Sequence, residues 1–236
     1  MDWGSSMEPS ETKSQVFASG IGFDKLFWIF VVGCVFGAFY EEILTCVKHL
    51  MSTGTFMWEL RRGVIYGPFS PIYGAGAVLM TIVLIPKKWN PKETIFYGAI
   101  LGGVFEYVVC LLQEIFVGTV SWDYSHQFLN IDGRTTIPIM FFWGLLALLF
   151  KDHIYPSLSA WIEKIPYRLG RIITVLFATL LGLDMLVSWT ALLRQTLRRN
   201  EVPAFTPVGR YYDRVYTDEY LAHFFPNMKV PERRDK

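Results

Sequence analysis

The stretch at residues 66–76, Tyr-Gly-Pro-Phe-Ser-Pro-Ile-Tyr-Gly-Ala-Gly, limits most strongly what this chain can fold into. It holds two prolines and three glycines and runs directly into the apolar residues 77–85. Proline removes a backbone donor and disfavours helix for the residue before it. In a bilayer such an interruption is tolerated where neighbouring groups satisfy the freed backbone, and it often lines a site. We predict a non-helical or re-entrant entry over residues 66–71, with regular helix beginning near Pro71.

The composition is that of a membrane protein. Hydrophobic residues make up 52% of the chain and charged residues only 18%, and the mean hydropathy is +0.32. The formal net charge of +1 excludes the basic footprint of a nucleic-acid-binding protein. The three cysteines stand in apolar surroundings without metal or redox spacing, so we expect buried, inert thiols.

The apolar runs predict an all-α, polytopic membrane protein with about five transmembrane helices. A helix needs about 20 apolar residues to cross a bilayer. Four runs approach this length, at residues 23–46, 69–85, 94–116 and 169–193, and a fifth, at 137–150, is short. Between the fifth run and the last, residues 154–166 place apolar side chains at helical spacing. That pattern predicts one helix lying in the membrane interface.

Three regions follow from this pattern. They are a polar N-terminal segment (1–20) without a signal-peptide pattern, a transmembrane helical domain (21–193) and a basic polar C-terminal tail (194–236). The arginines after the last span favour a cytoplasmic tail, although lysines at 87, 88, 92 and 164 then lie on the other side. We expect a multi-pass membrane protein.

Carboxylates inside the apolar runs carry the expected chemistry. Glu41 and Glu42 lie in the first run, Glu106 and Glu114 in the third, and Asp184 in the last. An acid at a helix centre costs about 2.5–3.5 kcal/mol on insertion scales, so each should face the bundle interior, a partner or water. One interpretation is structural hydrogen bonding between helices; the other is a substrate or ion site. We predict that Glu41, Glu106 and Glu114 converge beside residues 66–76.

The loop before the short fifth run is rich in polar and aromatic residues. Trp122 and Tyr124 suit the headgroup zone, and Asp123 can bond to local backbone. Arg134 stands at the edge of the apolar run, where it could pair with a carboxylate, bind a lipid phosphate or extend to water. We predict that Arg134 anchors the loop by contacting Asp123 or Glu114.

Several blocks, in order, resemble the bacterial type IV ABC-transporter permease family, sometimes called CmpB-like. The blocks are residues 37–41 (Gly-Ala-Phe-Tyr-Glu), 62–74, 106–107 (Glu-Tyr), 114–118 (Glu-Ile-Phe-Val-Gly), 122–125 (Trp-Asp-Tyr-Ser), 130–134 and 143–144 (Trp-Gly). The chain departs from the family pattern in having Ser121 before Trp122, Glu42 beside Glu41, and Arg61 before Arg62. None of these changes removes a charged group of the pattern.

The resemblance and the buried charges together imply a permease subunit with an intramembrane acidic site for a small cationic or zwitterionic solute. The expected substrate- or ion-binding residues are Glu41, Glu42, Arg62, Tyr66, Tyr73, Glu106, Glu114, Trp122, Asp123, Tyr124, Asn130, Arg134 and Asp184. The alternative is a non-transporting membrane enzyme or scaffold that acts at lipid headgroups.

Energy for transport must come from elsewhere. The sequence has no Gly-x-x-x-x-Gly-Lys-[Ser/Thr] loop, so an ABC transporter would need a separate ATPase subunit. The four histidines are scattered without metal-site spacing, and soluble catalytic signatures are absent. We therefore expect no cofactor and no bound metal. The expected partners are the bilayer and that ATPase subunit. The sequence leaves open whether the chain forms a homo-oligomer, and we expect no nucleic acid as a partner.

Overall fold

The computed structural model describes residues 16–230, and it is almost entirely helical. The helices are α1 (Phe23–Thr53), α2 (Pro71–Leu84), α3 (Pro91–Val117), α4 (Ile137–Leu149), a π segment (Phe150–Ile154), α5 (Tyr155–Glu163), α6 (Tyr167–Arg199), α7 (Pro207–Val215) and α8 (Asp218–Phe224). Two short antiparallel strands, β1 (Asn130–Ile131) and β2 (Thr135–Thr136), form a hairpin before α4. Most of the polar N-terminal segment, residues 1–15, lies outside the described residues, as do residues 231–236.

Four helical stretches are long and apolar enough to cross a membrane, and α2 is a shorter apolar fifth. The long ones are α1, α3, the continuous stretch Ile137–Glu163, and α6. Helices α1 and α2 run antiparallel, as do α3 and α4. The C-terminal ends of α3 and α6 meet where the Thr196 hydroxyl donates to the Val117 carbonyl. One end of the bundle, here called the tail end, therefore holds residues 54–70, the 118–136 loop and residues 200–230. The predicted all-α, polytopic fold is confirmed.

The interrupted second span is also confirmed. Helix α2 begins at Pro71 with Ser70 as its N-cap, and residues 59–70 are not helical. The Ser70 N–H donates to the Cys34 carbonyl at 3.0 Å, so α2 starts part-way down α1 rather than at its end. Fourteen residues of helix span only about 21 Å, which is less than the hydrocarbon core. The non-helical entry therefore occupies the remaining depth.

Small residues let the helices approach closely. A Cβ built at Gly37 of α1 would lie 2.1 Å from Cγ of Tyr73, so the α2 ring occupies the space that a side chain would need. Between α3 and α4, a Cβ at Gly102 would lie 2.2 Å from Cγ of Trp143. In a bilayer the hydrophobic effect does not drive helices together, because lipid tails are as apolar as the side chains. Close packing through small residues such as glycine is therefore typical of membrane helices.

The helix that we predicted over residues 154–166 is present as α5, and its placement in the membrane interface stays a prediction. It does not stand apart from the fifth run, because helical backbone continues from Ile137 to Glu163. The π segment explains how helix continues past Pro156. The Tyr155 N–H donates to the Phe150 carbonyl, five residues back, and this wider turn accommodates the missing donor and the ring of the proline that follows.

The end opposite the tail end is held by a buried lysine. Lys25 of α1 is fully buried, and its ammonium lies 2.6 Å from Oε1 of Glu163 and contacts Ser159. Phe17 and Ala18, which we assigned to the polar N-terminal segment, are buried in the core. Helix α3 begins nearby in a capping box, because Asn90 Oδ1 accepts from the Glu93 N–H at 3.0 Å and Glu93 accepts from the Asn90 N–H.

The C-terminal tail folds back onto the bundle. The last span extends to Arg199, six residues beyond our boundary at 193, and two short helices follow. Asp213 of α7 accepts two hydrogen bonds of 2.7 Å from Arg194, and Arg198 lies 2.9 Å from the same carboxylate. Tyr216, Leu221 and Phe225 pack against Ile65 and α6. The tail thus contacts the interrupted entry as well as the last span.

Candidate acidic site

Glu41 on α1 accepts a hydrogen bond from the first turn of α2. The Tyr73 hydroxyl donates to Glu41 Oε1 at 2.8 Å. This contact depends on the interruption, because helix that starts at Pro71 places Tyr73 two residues later, directly over Gly37. The prolines and glycines in residues 66–76 therefore place a hydrogen-bond donor, the Tyr73 hydroxyl, beside the Glu41 carboxylate.

Glu106 on α3 is buried and contacts neutral donors. Thr135 Oγ1 donates to one carboxylate oxygen at 2.7 Å, and the Tyr124 hydroxyl donates to the other at 3.1 Å. Both donors come from the 118–136 loop, so that loop closes over Glu106 from the tail end.

Tyr124 contacts one of the two carboxylates, Glu106, and Tyr73 contacts the other, Glu41. Burial, followed by the charge of Glu106 and the hydrogen bond to it, raises the pKa of Tyr124. The phenol therefore stays protonated and acts as a donor at neutral pH. We refer to the two hydrogen-bonded pairs, Glu41 with Tyr73 and Glu106 with Tyr124, as the acidic cluster.

The acidic cluster has no ion pair. Within residues 16–230, neither Glu41 nor Glu106 lies within 4.0 Å of a basic group. Arg61 and Lys48 act on Glu41 only at longer range. Carboxylates that are hydrogen-bonded by neutral donors and have no ion-pair partner leave room in the charge balance for a cation. No described contact joins Glu41 to Glu106, so their convergence stays a prediction.

Glu114 belongs to a separate ion pair with Arg134. The predicted contact is present: Arg134 Nη2 lies 2.7 Å from Glu114 Oε2. The guanidinium also lies over the Tyr107 ring, 5.4 Å from its centroid, and 3.7 Å from Asp132. No described contact joins Glu114 to the acidic cluster. The structure therefore places Glu114 with Arg134 instead of with the other two acids.

The remaining loop residues hold the hairpin in shape. The Trp122 indole donates to the Arg134 carbonyl at 2.9 Å, and Asp123 accepts from the Ser125 N–H. Asn130 accepts from the Gly133 N–H at 3.0 Å while its amide donates to two carbonyls. These contacts position Tyr124 and Thr135, which bond to Glu106. Trp122, Asp123 and Asn130 therefore stabilise the loop and make no described contact with the carboxylates of the acidic cluster.

Glu42 and Arg62 fix the path of the chain toward the interruption. Glu42 is buried and lies 3.6 Å from Arg62 Nε, and it accepts from the Arg61 N–H at 3.3 Å. Its neighbour Glu41 points toward Tyr73, so adjacent glutamates serve two different contacts. The structure brings Glu42 and Arg62 together, but not into the acidic cluster.

Asp184 on α6 contacts Tyr66 of the interrupted entry segment. Asp184 Oδ1 accepts from the Tyr66 N–H at 3.2 Å and from the Ser188 hydroxyl at 3.0 Å, while Ser188 accepts from the Ile65 N–H at 2.8 Å. These bonds satisfy two backbone donors that the missing helix leaves free. The Tyr66 hydroxyl reaches the Tyr216 hydroxyl at 3.1 Å. Asp184 therefore holds the entry segment and makes no described contact with Glu41 or Glu106.

Sequence reasoning missed three residues that matter to this arrangement. They are Thr135, Tyr107 and Ser188, which bond to Glu106, Asp132 and the Ile65 backbone. Thr135 and Ser188 are ordinary hydroxyl residues with no local signal. Among the residues that the structure describes, no group of three His, Cys, Asp or Glu side chains could hold a metal ion.

A comparison with known protein families assigns the chain to one of them. Residues 28–189 match the family described as "Putative ABC-transporter type IV". The chain belongs to this family. The match covers the interruption, the acidic cluster, the Arg134 loop and most of α6, and it ends before the tail. No curated protein and no solved structure matches the chain. The protein is thus an ABC-transporter-type, multi-pass membrane protein.

Proposed function

We propose that the protein is the permease subunit of a bacterial transporter and that the acidic cluster binds a small cationic or zwitterionic solute. The observation that carries this proposal is the charge balance of the cluster. Glu41 and Glu106 accept hydrogen bonds from neutral donors and lack a described ion pair. A cation placed between them would supply the opposite charge, and an intramembrane carboxylate is otherwise costly.

The surrounding contacts support a binding site more than structural hydrogen bonding alone. The position of Tyr73 depends on an interrupted helix, and that of Tyr124 depends on a loop closed over Glu106. Interrupted helices and loops at this depth are typical of sites in transporters. In this proposal the 118–136 loop is the part that moves, since it covers Glu106 from the tail end.

Transport would be driven by a separate ATPase, since the 236 residues hold no phosphate-binding loop. The folded tail lies at the same end as the loop that covers Glu106. In this proposal the tail faces the cytoplasm of a bacterial cell, where an ATPase subunit could contact it. Assembly of two copies is compatible with the proposal and is not required by it.

Ligand binding by purified protein in nanodiscs tests the site. The probes are tetramethylammonium and glycine betaine, with sodium sulfate at matched ionic strength as the reference. We expect one of the two probes to bind the parent protein and Glu41→Gln or Glu106→Gln to weaken it at least about tenfold, since a charge-assisted contact is worth roughly 1.5–3 kcal/mol. Glu219→Gln, an exposed acid on α8, is the matched control. Equal binding by all variants, or no binding by either probe, counts against the site.

Transport is tested in proteoliposomes. The probe that binds should cross the bilayer when a candidate ATPase subunit from the same genome is added with ATP, and not with ATP alone. Turnover of lipid headgroups in detergent, without any gradient or ATPase, would instead support the enzyme alternative.

A further inference from the structure

A cavity lies between the interrupted entry and α6, and none of the acidic-cluster residues lines it. Its volume is about 420 Å³, and it is open on one side. The lining is apolar except at one end, and it includes Tyr66, Phe69, Phe177, Leu180, Leu183 and Asp184. Leu180 and Leu183 are more than half exposed, so the cavity opens on the outer surface of α6. We call it the α6 crevice.

Within residues 16–230, Asp184 supplies the only charge in this lining. Its Oδ1 atom accepts hydrogen bonds from the Tyr66 N–H and from the Ser188 hydroxyl. No hydrogen bond to Oδ2 is present among these residues, nor any basic group within 4.0 Å. Burial disfavours the ionised carboxylate, whereas the two hydrogen bonds favour it. A cation beside Oδ2 would add a further contribution that favours the ionised form.

The shape of the crevice selects an elongated ligand. Phe177 lies seven residues before Asp184 on α6, which is about 10 Å along the helix axis. Leu180 lies between them, so the apolar wall extends from the carboxylate along α6 toward the N-terminus of the helix. A ligand with a cation at one end and a hydrocarbon chain at the other would satisfy both surfaces.

We propose that the α6 crevice binds a single-chain amphipathic cation, an alkylammonium, with its ammonium at Asp184 and its chain against Phe177 and Leu180. No lysine or arginine lines the cavity. A phospholipid headgroup would bring a phosphate beside Asp184 without a counter-charge, which disfavours phospholipid as the occupant. This site goes beyond the proposed solute site and involves neither Glu41 nor Glu106.

Photo-crosslinking tests the proposal in nanodiscs of phosphatidylcholine. The probe is dodecylamine carrying a diazirine midway along its chain, and labelled peptides are mapped by mass spectrometry. We expect labelling concentrated within residues 177–187, competed by dodecyltrimethylammonium and not by dodecyl sulfate or dodecanol. Labelling spread over all lipid-facing helices, or equal competition by the three amphiphiles, would overturn the proposal.

Three variants separate the contributions. Asp184→Asn keeps an oxygen that can accept from Tyr66 and Ser188, and it should reduce labelling about tenfold or more. Leu180→Trp fills the apolar wall, keeps the charge and should also reduce labelling. Glu41→Gln should leave labelling unchanged, so loss of the solute site and loss of this site are distinguishable. Undiminished labelling of both Asp184→Asn and Leu180→Trp contradicts the proposal.

Discussion

Tyr73 donates its hydroxyl to Glu41 across the α1–α2 contact, with its ring directly above Gly37. The pair exists because helix begins at Pro71 and because Gly37 has no side chain. Both conditions are local, yet together they place a phenol on a carboxylate more than thirty residues earlier in the chain. The hydrogen bond between Tyr73 and Glu41 therefore depends on the close approach of α1 and α2 as well as on the charge of the carboxylate.

Gly37→Ala should displace Tyr73 and weaken the cluster. The new Cβ would lie 2.1 Å from the Tyr73 ring, and overpacking of this kind costs about 1–3 kcal/mol. We expect a lower free energy of unfolding in detergent and loss of cation binding. Gly182→Ala is the matched control, because a Cβ there meets nothing within 4 Å. Equal stability of the two variants would show that Tyr73 can move aside without cost.

Arg134→Lys should leave the protein folded and loosen the 118–136 loop. The lysine can keep one contact with Glu114 but loses the second arm toward Asp132 and the planar face over Tyr107. We expect the free energy of unfolding to fall by roughly 1–2 kcal/mol and amide hydrogen exchange over residues 121–133 to become faster. Arg210→Lys, on an exposed face of α7, should change neither quantity. Unchanged exchange in Arg134→Lys would mean that the arginine does not anchor the loop.

Ser188→Ala should free the entry segment. The mutation leaves the N–H of buried Ile65 without its acceptor, and an unsatisfied buried group costs about 1–3 kcal/mol. Amide exchange over residues 63–70 should rise. Thr179→Ala removes a hydroxyl that bonds only within α6, so it should leave this exchange as in the parent. A rise in both variants would point to a general effect on α6.

Docking of the tail should weaken in acid. Hydrogen bonds from Arg194, followed by those from Arg198, hold the pKa of Asp213 below its ordinary value. The unfolded carboxyl has a pKa of about 3.9, so the stabilisation is complete above that pH and is lost as pH falls through the lower folded value. Limited proteolysis between residues 200 and 230 should therefore increase only at strongly acid pH.

Asp213→Asn provides the control for this pH effect. The variant lacks the titrating group, so its tail should already be more accessible at neutral pH and should change less on acidification. Parent and variant with the same pH profile would assign the acid sensitivity to another group.

The sequence by itself determined the class of fold and the interruption. Long apolar runs require crossing helices, since no water satisfies the backbone inside lipid. Pro68 and Pro71 act on their own residues and immediate neighbours, so the start of α2 was predictable from covalent geometry. The ion pair of Arg134 with Glu114 was also predictable, because a permanent cation at that depth needs a nearby acid.

Only the tertiary structure decided which groups meet. Thr135 reaches Glu106, and Asp184 supports Tyr66, through contacts between segments far apart in the chain, and a hydroxyl gives no local sign of its partner. The passage of helix past Pro156 depended on a π turn that neighbouring packing supports. The tail docked because Arg194 and Arg198 face Asp213 once α6 ends. Local covalent rules act over a few residues, whereas these contacts follow from how the helices pack.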